Sequence, residues 1–137
     1  MGNKKNIMRK IKSALISVSD KSNLKPLLEI LKKNNIKLIS SGGTFKAIRK
    51  LKFQCLEISN FTGSNEILDG RVKTLHPKIH AGILNKRKNK THLKEMKFEN
   101  FENIDLVIVN FYQFEEALKK TKNHNKIIEN IDIGGPT

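Results

Sequence analysis

A layered α/β fold around a mainly parallel sheet is the class this sequence predicts, and three observations carry it. Short β-type runs alternate with amphipathic helical periods through residue 58. The connections between them are brief, which suits crossover units rather than hairpins. The chain has 137 residues, of which 37% are hydrophobic, a size and composition that fit one domain with a buried core.

The elements follow in order. After a basic tail over residues 1–12, residues 14–18 (Ala-Leu-Ile-Ser-Val) read as a short apolar strand, and Ser19-Asp20 offers a helix N-cap. Leu24, Leu27, Leu28 and Leu31 recur at helical spacing, with Pro26 tolerated in the first turn. Residues 36–39 form a second β-type run, closed by Ser40-Ser41-Gly42-Gly43-Thr44. A helix over 44–51 follows, with Phe45, Ile48 and Leu51 on one face, and residues 54–58 read as a third strand. Residues 59–77 hold Gly63, Gly70 and many polar residues without a sustained period, and an irregular stretch of that length in a compact domain is usually functional. Short helices are predicted over 78–84 and 91–96. Residues 105–109 (Asp-Leu-Val-Ile-Val) are the clearest buried strand, and further helices are predicted from Phe114 to Lys120 and around Ile127-Ile128.

Composition restricts function. With 27 Lys and Arg against 13 Asp and Glu the formal charge is +14, yet only four of the basic residues are arginine. Arginine is the residue that reads guanine edges and stacks on bases. The lysines are scattered without interleaved aromatics, and the accompanying abundance of Ile and Asn is what A+T-rich codons yield, so nucleic-acid binding is not the expected role. The two basic clusters, 4–12 and 86–90, read as solvated segments. No apolar run approaches a membrane span, no signal-peptide core is present, and the predicted location is cytoplasmic. The single cysteine, Cys55, excludes an internal disulfide framework and reads as a buried, inert strand residue.

In open parallel sheets ligands bind beyond the carboxyl ends of the strands, so the loops there are the candidate site. Residues 17–21 (Ser-Val-Ser-Asp-Lys) present two hydroxyls and an ammonium at the first strand-to-helix turn. Ser41-Gly42-Gly43-Thr44 places a glycine pair at a helix N-terminus, an arrangement that cradles anions or simply caps a turn. It lacks the spacing of a P-loop. A third segment, residues 69–77 (Asp-Gly-Arg-Val-Lys-Thr-Leu-His-Pro), gathers an Arg, a Lys, a Thr and a His, either as a phosphate-facing loop or as one more basic loop. His76 and His80 lie four residues apart across Pro77, with no carboxylate or cysteine nearby in sequence, and no metal site is expected.

These three segments, together with Asn110-Phe111-Tyr112-Gln113-Phe114 and residues 131–137 (Ile-Asp-Ile-Gly-Gly-Pro-Thr), resemble in order and spacing the IMP cyclohydrolase domain of the bifunctional purine-biosynthesis family that joins AICAR formyltransferase to IMP cyclohydrolase. The resemblance runs over residues 13–137. It implies a three-layer α/β/α sandwich of methylglyoxal-synthase type that closes the purine ring of formyl-AICAR to give IMP and water, with no metal or organic cofactor. By matching positions it implies that Ser19, Asp20, Lys21, Ser41, Gly42, Gly43 and Thr44 hold the ribose phosphate, with Arg71, Val72 and Thr74 assisting. Lys73 would stabilise the transition state, and Tyr112 and Asp132 would act beside it. Val109, Asn110, Ile133 and Gly134 would complete the base and formyl pocket. A homodimer is also implied.

Two departures from the family pattern stand out. The usual Asn-Leu-Tyr-Pro-Phe becomes Asn-Phe-Tyr-Gln-Phe at 110–114, which predicts a change in loop stiffness. In the family the Gly-Gly-Pro-Thr turn leads into a helix with a second catalytic lysine, whereas this sequence stops at Thr137. The expectation is therefore a fragment, a split gene or a truncated product with little turnover of its own. The formyltransferase domain, with its formyl-tetrahydrofolate, lies outside it. Two other readings stay open at this level: a domain of the same fold that binds a phosphorylated nucleotide without transforming it, and a polyanion-binding basic protein. Tyr112, beside Phe111 and Phe114, also fits a core or interface position, and Asp132 also fits a helix cap.

Overall fold

A computed structural model describes residues 9–110 together with 119, 120, 122, 123 and 125. The described elements are β1 (Ser13–Ser17), α1 (Leu24–Lys33), β2 (Lys37–Ser40), α2 (Gly42–Lys50), β3 (Leu56–Glu57), α3 (Ile58–Thr62), α4 (Pro77–Leu84), α5 (Lys90–Phe98) and β4 (Leu106–Val109). They build a parallel sheet in the order β3-β2-β1-β4.

The pleat of β1 divides the core in two. Ala14 and Ile16 point to one face and pack with Leu24, Leu28 and Leu31 of α1 and Ile48 of α2. Leu15 points to the other and packs with Ile39, with Ile58 and Phe61 of α3, and with Ile79 of α4. Alternate residues of one buried strand thus serve two helical layers, and the fold is an α/β/α sandwich. Fully burying side chains such as Leu28, Ile39 and Ile79 contributes about 1.5–3 kcal/mol each.

Helix α1 buries Leu24, Leu28 and Leu31 at i, i+4 and i+7 and leaves Lys25, Glu29 and Lys32 exposed. It closes on Asn35, whose φ of 55° is left-handed, with Ile36 N–H reaching back to the Leu31 carbonyl at 3.0 Å. Helices α2 and α5 end alike, through Lys52 (φ 65°) and Asn100 (φ 54°). Asparagine tolerates that conformation well, and lysine less well.

Several expectations are corrected. Helix α1 starts at Leu24 and not at a Ser19-Asp20 cap, because the Asp20 carboxylate instead accepts from the Ser22 amide at 2.9 Å and tightens a turn ahead of the helix. The third strand shrinks to Leu56–Glu57, since Ile58 already opens α3, which gives part of the segment expected to be irregular a regular form. Strand β4 is less buried than its apolar sequence suggests, with Val107 40% and Val109 38% exposed. Of the basic tail, Lys12 belongs to the sheet edge: its amide donates to Asp105 Oδ2 at 2.9 Å and its carbonyl accepts from Lys37 N–H at 2.8 Å.

The 86–90 cluster is only in part a surface loop. Arg87 turns inward, its side chain 12% exposed, and its guanidinium donates to the carbonyls of Gly82 at 2.9 Å, Ile104 at 2.9 Å and Asn85 at 3.2 Å. The Gly82 carbonyl lies in the last turn of α4, where the helix supplies no backbone donor; it accepts from the Ile104 amide at 2.9 Å and the Asn85 side chain at 3.1 Å, and the Arg87 cation adds to these and complements the helix dipole. Gly82 lets the 102–104 segment pass close to α4. A Cβ there would lie 2.9 Å from the Glu102 carbonyl oxygen.

Cys55 is half-buried and not fully buried, and burial pushes its thiol up to about 11 from an ordinary 9.0. A thiol raised that far holds about 100-fold less thiolate at pH 8 than an ordinary one, and the thiolate is the reactive form. A thiolate of higher pKa is also more nucleophilic, so iodoacetamide at pH 8 is expected to label the native chain about tenfold more slowly than the urea-unfolded chain, read by mass spectrometry. Equal rates would show the thiol to be ordinary.

Candidate functional site

The register brings three strand ends level: Ile16 pairs with Ser40, and Ser17 pairs with Val109. From β1 the chain moves to β2 and β3 on one side, whereas β4 lies on the other side of β1. That reversal makes the crevice at the carboxyl ends of β1 and β4 the topological switch point, where ligands of such sheets bind. Residues 18–21, 41–44 and 110 all follow directly from these ends.

The loop after β1 is held from two sides. Thr44 of α2, 5% exposed, accepts from the Val18 amide at 3.1 Å and donates to the Val18 carbonyl at 2.9 Å. Asn110 accepts from the Ser19 amide at 2.6 Å and the Ser19 hydroxyl at 2.9 Å, and donates to the Asp20 carbonyl at 3.1 Å. Beneath them the buried Ser40 hydroxyl donates to the Ile16 carbonyl at 2.7 Å, tying β2 to β1. The Asp20 carboxyl sits below its ordinary range, chiefly through the Ser22 backbone N–H that it accepts.

Two ammonium groups converge on the start of α2. Lys73 Nζ lies 2.9 Å from where a Gly42 Cβ would be, and Lys21 Nζ lies 3.9 Å from the corresponding point on Gly43. Lys21 also donates to the Ser19 carbonyl at 3.1 Å. Gly42 has φ +54°, a backbone that glycine adopts without strain, and the Lys73 ammonium occupies the space where a Cβ would stand. The first turn of α2 has no acidic residue, and the side chain of its N-cap, Ser41, makes no capping hydrogen bond. A helix N-terminus carries about half a positive charge. Bringing two ammoniums to it is repulsive until an anion arrives, and the amides there face the anion directly.

Lys73 is brought in by a turn that bends left-handed at Leu68 (φ 53°), Asp69 (φ 54°) and Gly70 (φ 80°) and is closed by an antiparallel bridge between Ile67 and Val72. Left-handed φ is uncommon for non-glycine residues and is costly for a side chain such as leucine. Arg71 Nη1 turns back on this segment, 3.4 Å from the Leu68 carbonyl and 3.7 Å from Asp69 Oδ2. Thr74 is half-buried just beyond Lys73, and its carbonyl accepts from His76 N–H at 2.8 Å. His76 caps α4 by accepting from the Lys78 amide at 3.1 Å.

The structure therefore gathers Ser19, Asp20, Lys21, Ser41, Gly42, Gly43, Thr44, Lys73, Val109 and Asn110 at one sheet edge. Arg71, Val72 and Thr74 lie in the segment that delivers Lys73. Tyr112, Asp132, Ile133 and Gly134 lie outside the described residues, as do residues 114–118 of the helix expected from Phe114 to Lys120 and the helix expected around Ile127-Ile128; Lys119 and Lys120 are described and helical. Sequence reasoning missed Glu66, whose Oε2 lies 3.2 Å from the Cβ position of Gly70, with Lys73 Nζ 3.6 Å from the same point. The signal available was the Asp69-Gly70 turn, which folds residue 66 back toward 73.

A family model described as the MGS-like domain matches residues 23–137. The chain belongs to the MGS-like domain family. Among its relatives, the bifunctional purine biosynthesis protein PurH of Prochlorococcus marinus subsp. pastoris is 50% identical over 125 residues, covering 90% of this MGS-like chain and 24% of the relative. The protein of the same description from Acetivibrio thermocellus is 49% identical over 128 residues, covering 93% and 25%. That from Magnetococcus marinus is 47% identical over 131 residues, covering 95% and 25%. The MGS-like chain thus spans about a quarter of the length of these relatives. A solved structure, described as the crystal structure of ForH, superposes with a TM-score of 0.77 at 31% identity, covering 92% of this chain and 64% of that one. Among the described residues no helix is long and apolar enough to cross a membrane.

Proposed function

We propose that the switch-point cluster binds the phosphate of a purine-precursor ribonucleotide and that the chain carries IMP cyclohydrolase chemistry, closing formyl-AICAR to IMP. The observation that carries the reading is the convergence of Lys21 and Lys73 on the Gly42-Gly43 helix start. The matches to bifunctional purine biosynthesis proteins supply the substrate class.

Ring closure needs little beyond positioning. The carboxamide nitrogen attacks the formyl carbon of the same molecule, a C–N bond forms, and the formyl oxygen leaves as water with one proton from each of the two nitrogens. The step is redox-neutral and balances without a co-substrate. Holding the phosphate at α2 while the formyl group turns toward the carboxamide selects the reactive conformer, which is where most of the acceleration comes from. Lys73, adjoining the phosphate cradle, donates to the carbonyl oxygen as charge develops there. Tyr112 and Asp132 complete the proton transfers in this reading, and Ile133 and Gly134 complete the pocket wall. The same reading carries a cytoplasmic homodimer.

Calorimetry with IMP and AICAR, run beside an absorbance assay for IMP formation from formyl-AICAR, tests it. Micromolar binding with slow turnover is the expected result. Binding without turnover would assign a nucleotide-binding domain of the same fold, and failure to bind either nucleotide would overturn the reading.

A further inference from the structure

Asn110 is exposed to solvent, so burial does not force its amide to find protein partners. It nevertheless makes three hydrogen bonds to two consecutive residues of the loop after β1. An asparagine side chain offers two acceptor lone pairs and two N–H donors. Both lone pairs and one donor are engaged by Ser19 and Asp20. The next link is Ser19 itself, whose carbonyl accepts from Lys21 Nζ at 3.1 Å. Lys21 then stands over Gly43 at the start of α2. A continuous path therefore runs from the end of β4 to an ammonium of the anion cradle, entirely through atoms that the ligand does not supply.

We infer that Asn110 is a positioning residue: its side chain fixes the loop that aims the Lys21 ammonium at the α2 N-terminus and does not itself read the ligand's base. Thr44 holds the same loop one residue earlier, through both backbone groups of Val18, and is the second clamp. The inference rests on the phosphate-binding reading of the cluster, and it reassigns two residues whose sequence matches imply direct contact with substrate. Its physical content is preorganisation. Each of these exposed hydrogen bonds is individually modest, but together they remove loop conformations that an anion would otherwise have to select against.

A double-mutant cycle tests it, using the 137-residue chain with ribose 5-phosphate and with IMP as probes in calorimetry. Asn110→Ala is expected to weaken both ligands by the same factor, about tenfold, because the two share only the sugar phosphate. Lys21→Met is expected to weaken both by at least as much. Combining them is expected to add less than twofold to the loss from Lys21→Met alone, since Asn110 acts through that lysine. Hydrogen exchange supplies a readout independent of ligand: the Ser19 amide of Asn110→Ala exchanges faster, while amides of β1 and β2 stay protected. Losses that multiply, a loss confined to IMP, or an unchanged Ser19 amide would each overturn the assignment. Wild-type protein that binds ribose 5-phosphate but not IMP would defeat the ring-closure reading alone, leaving the clamp to be decided on the sugar phosphate. Binding of neither probe would overturn both.

Discussion

Lys73→Met is expected to slow IMP formation from formyl-AICAR by about 100- to 1,000-fold, the range seen when a single donor to a developing oxyanion is removed, while weakening IMP binding by less than tenfold. The asymmetry follows from geometry. Lys73 reaches the cradle across Gly42, with its Nζ 2.9 Å from the Gly42 Cβ position, whereas Lys21 approaches over Gly43 and is anchored on the Ser19 carbonyl. Two cations on adjoining residues of one helix start can divide the work, one holding the phosphate and the other leaning toward the reacting formyl group. Methionine keeps the length and the apolar stem but removes the charge and the donors. Absorbance kinetics give the rate, and calorimetry gives the affinity. A loss mainly in kcat locates Lys73 at the chemistry, and equal losses in rate and affinity make it a second phosphate ligand. An unchanged rate removes it from the site.

Much of this geometry was legible in the amino-acid order. The alternation of Ala14, Leu15 and Ile16, followed by leucines at i, i+4 and i+7, already required a strand buried on both faces beside a helix, which is the central unit of the sandwich. Loops at the carboxyl ends of such strands are the place to look for a ligand, and Gly42-Gly43 and Lys21 fall there by connectivity alone. The convergence of Lys73 was not legible from spacing. It depends on left-handed backbone at Leu68, a conformation that leucine disfavours, and on a two-residue bridge, Ile67 to Val72, too short to leave a periodic pattern. The residue types of 69–77 left a phosphate-facing loop and an ordinary basic loop both open, and the resemblance of that segment to a known family pointed to the first.

Several side-chain partners escaped local reasoning for one cause: local chemistry offered two partners and tertiary structure chose the less obvious one. Asp20 was available as a helix cap, but its carboxylate is taken by Ser22 two residues on. Thr44 and Asn110 have side chains suited to a phosphate or a base, and both are engaged by the backbone of 18–20. Their partners lie 26 and about 90 residues away in sequence, so no window of local reasoning contains them. Arg87 carries the same lesson furthest, because a run of four basic residues in five hides one that is structural.

Arg87→Ala is expected to destabilise the chain by about 3 kcal/mol, the lower end of the range for removing one partner of a buried ion pair. At this chain length that lowers Tm by roughly 12 °C, read by thermal denaturation followed by circular dichroism. The side chain of Asp105 is 9% exposed and lies 3.6 Å from the guanidinium, a contact too long for a strong hydrogen bond, so direct charge pairing is only part of the loss. The carbonyls of Gly82 and Ile104 lose a charged donor as well, although Gly82 keeps the Ile104 amide at 2.9 Å and the Asn85 side chain at 3.1 Å. Arg87 adds a second link from the end of α4 to the entry of β4, beside the Ile104 amide on the Gly82 carbonyl, and β4 leads directly into Asn110. Neutralising Asp105 in the same background, Arg87→Ala with Asp105→Asn, is expected to recover about 1 kcal/mol, because the stranded carboxylate no longer needs a counter-charge. Replacing the neighbouring Lys86 or Lys88 by Ala is expected to change stability by less than about 0.5 kcal/mol, as for other exposed positions. If Arg87→Ala fell within that same narrow range, the cluster would be a solvated loop throughout and the inward arginine would contribute nothing to holding β4 against the sheet.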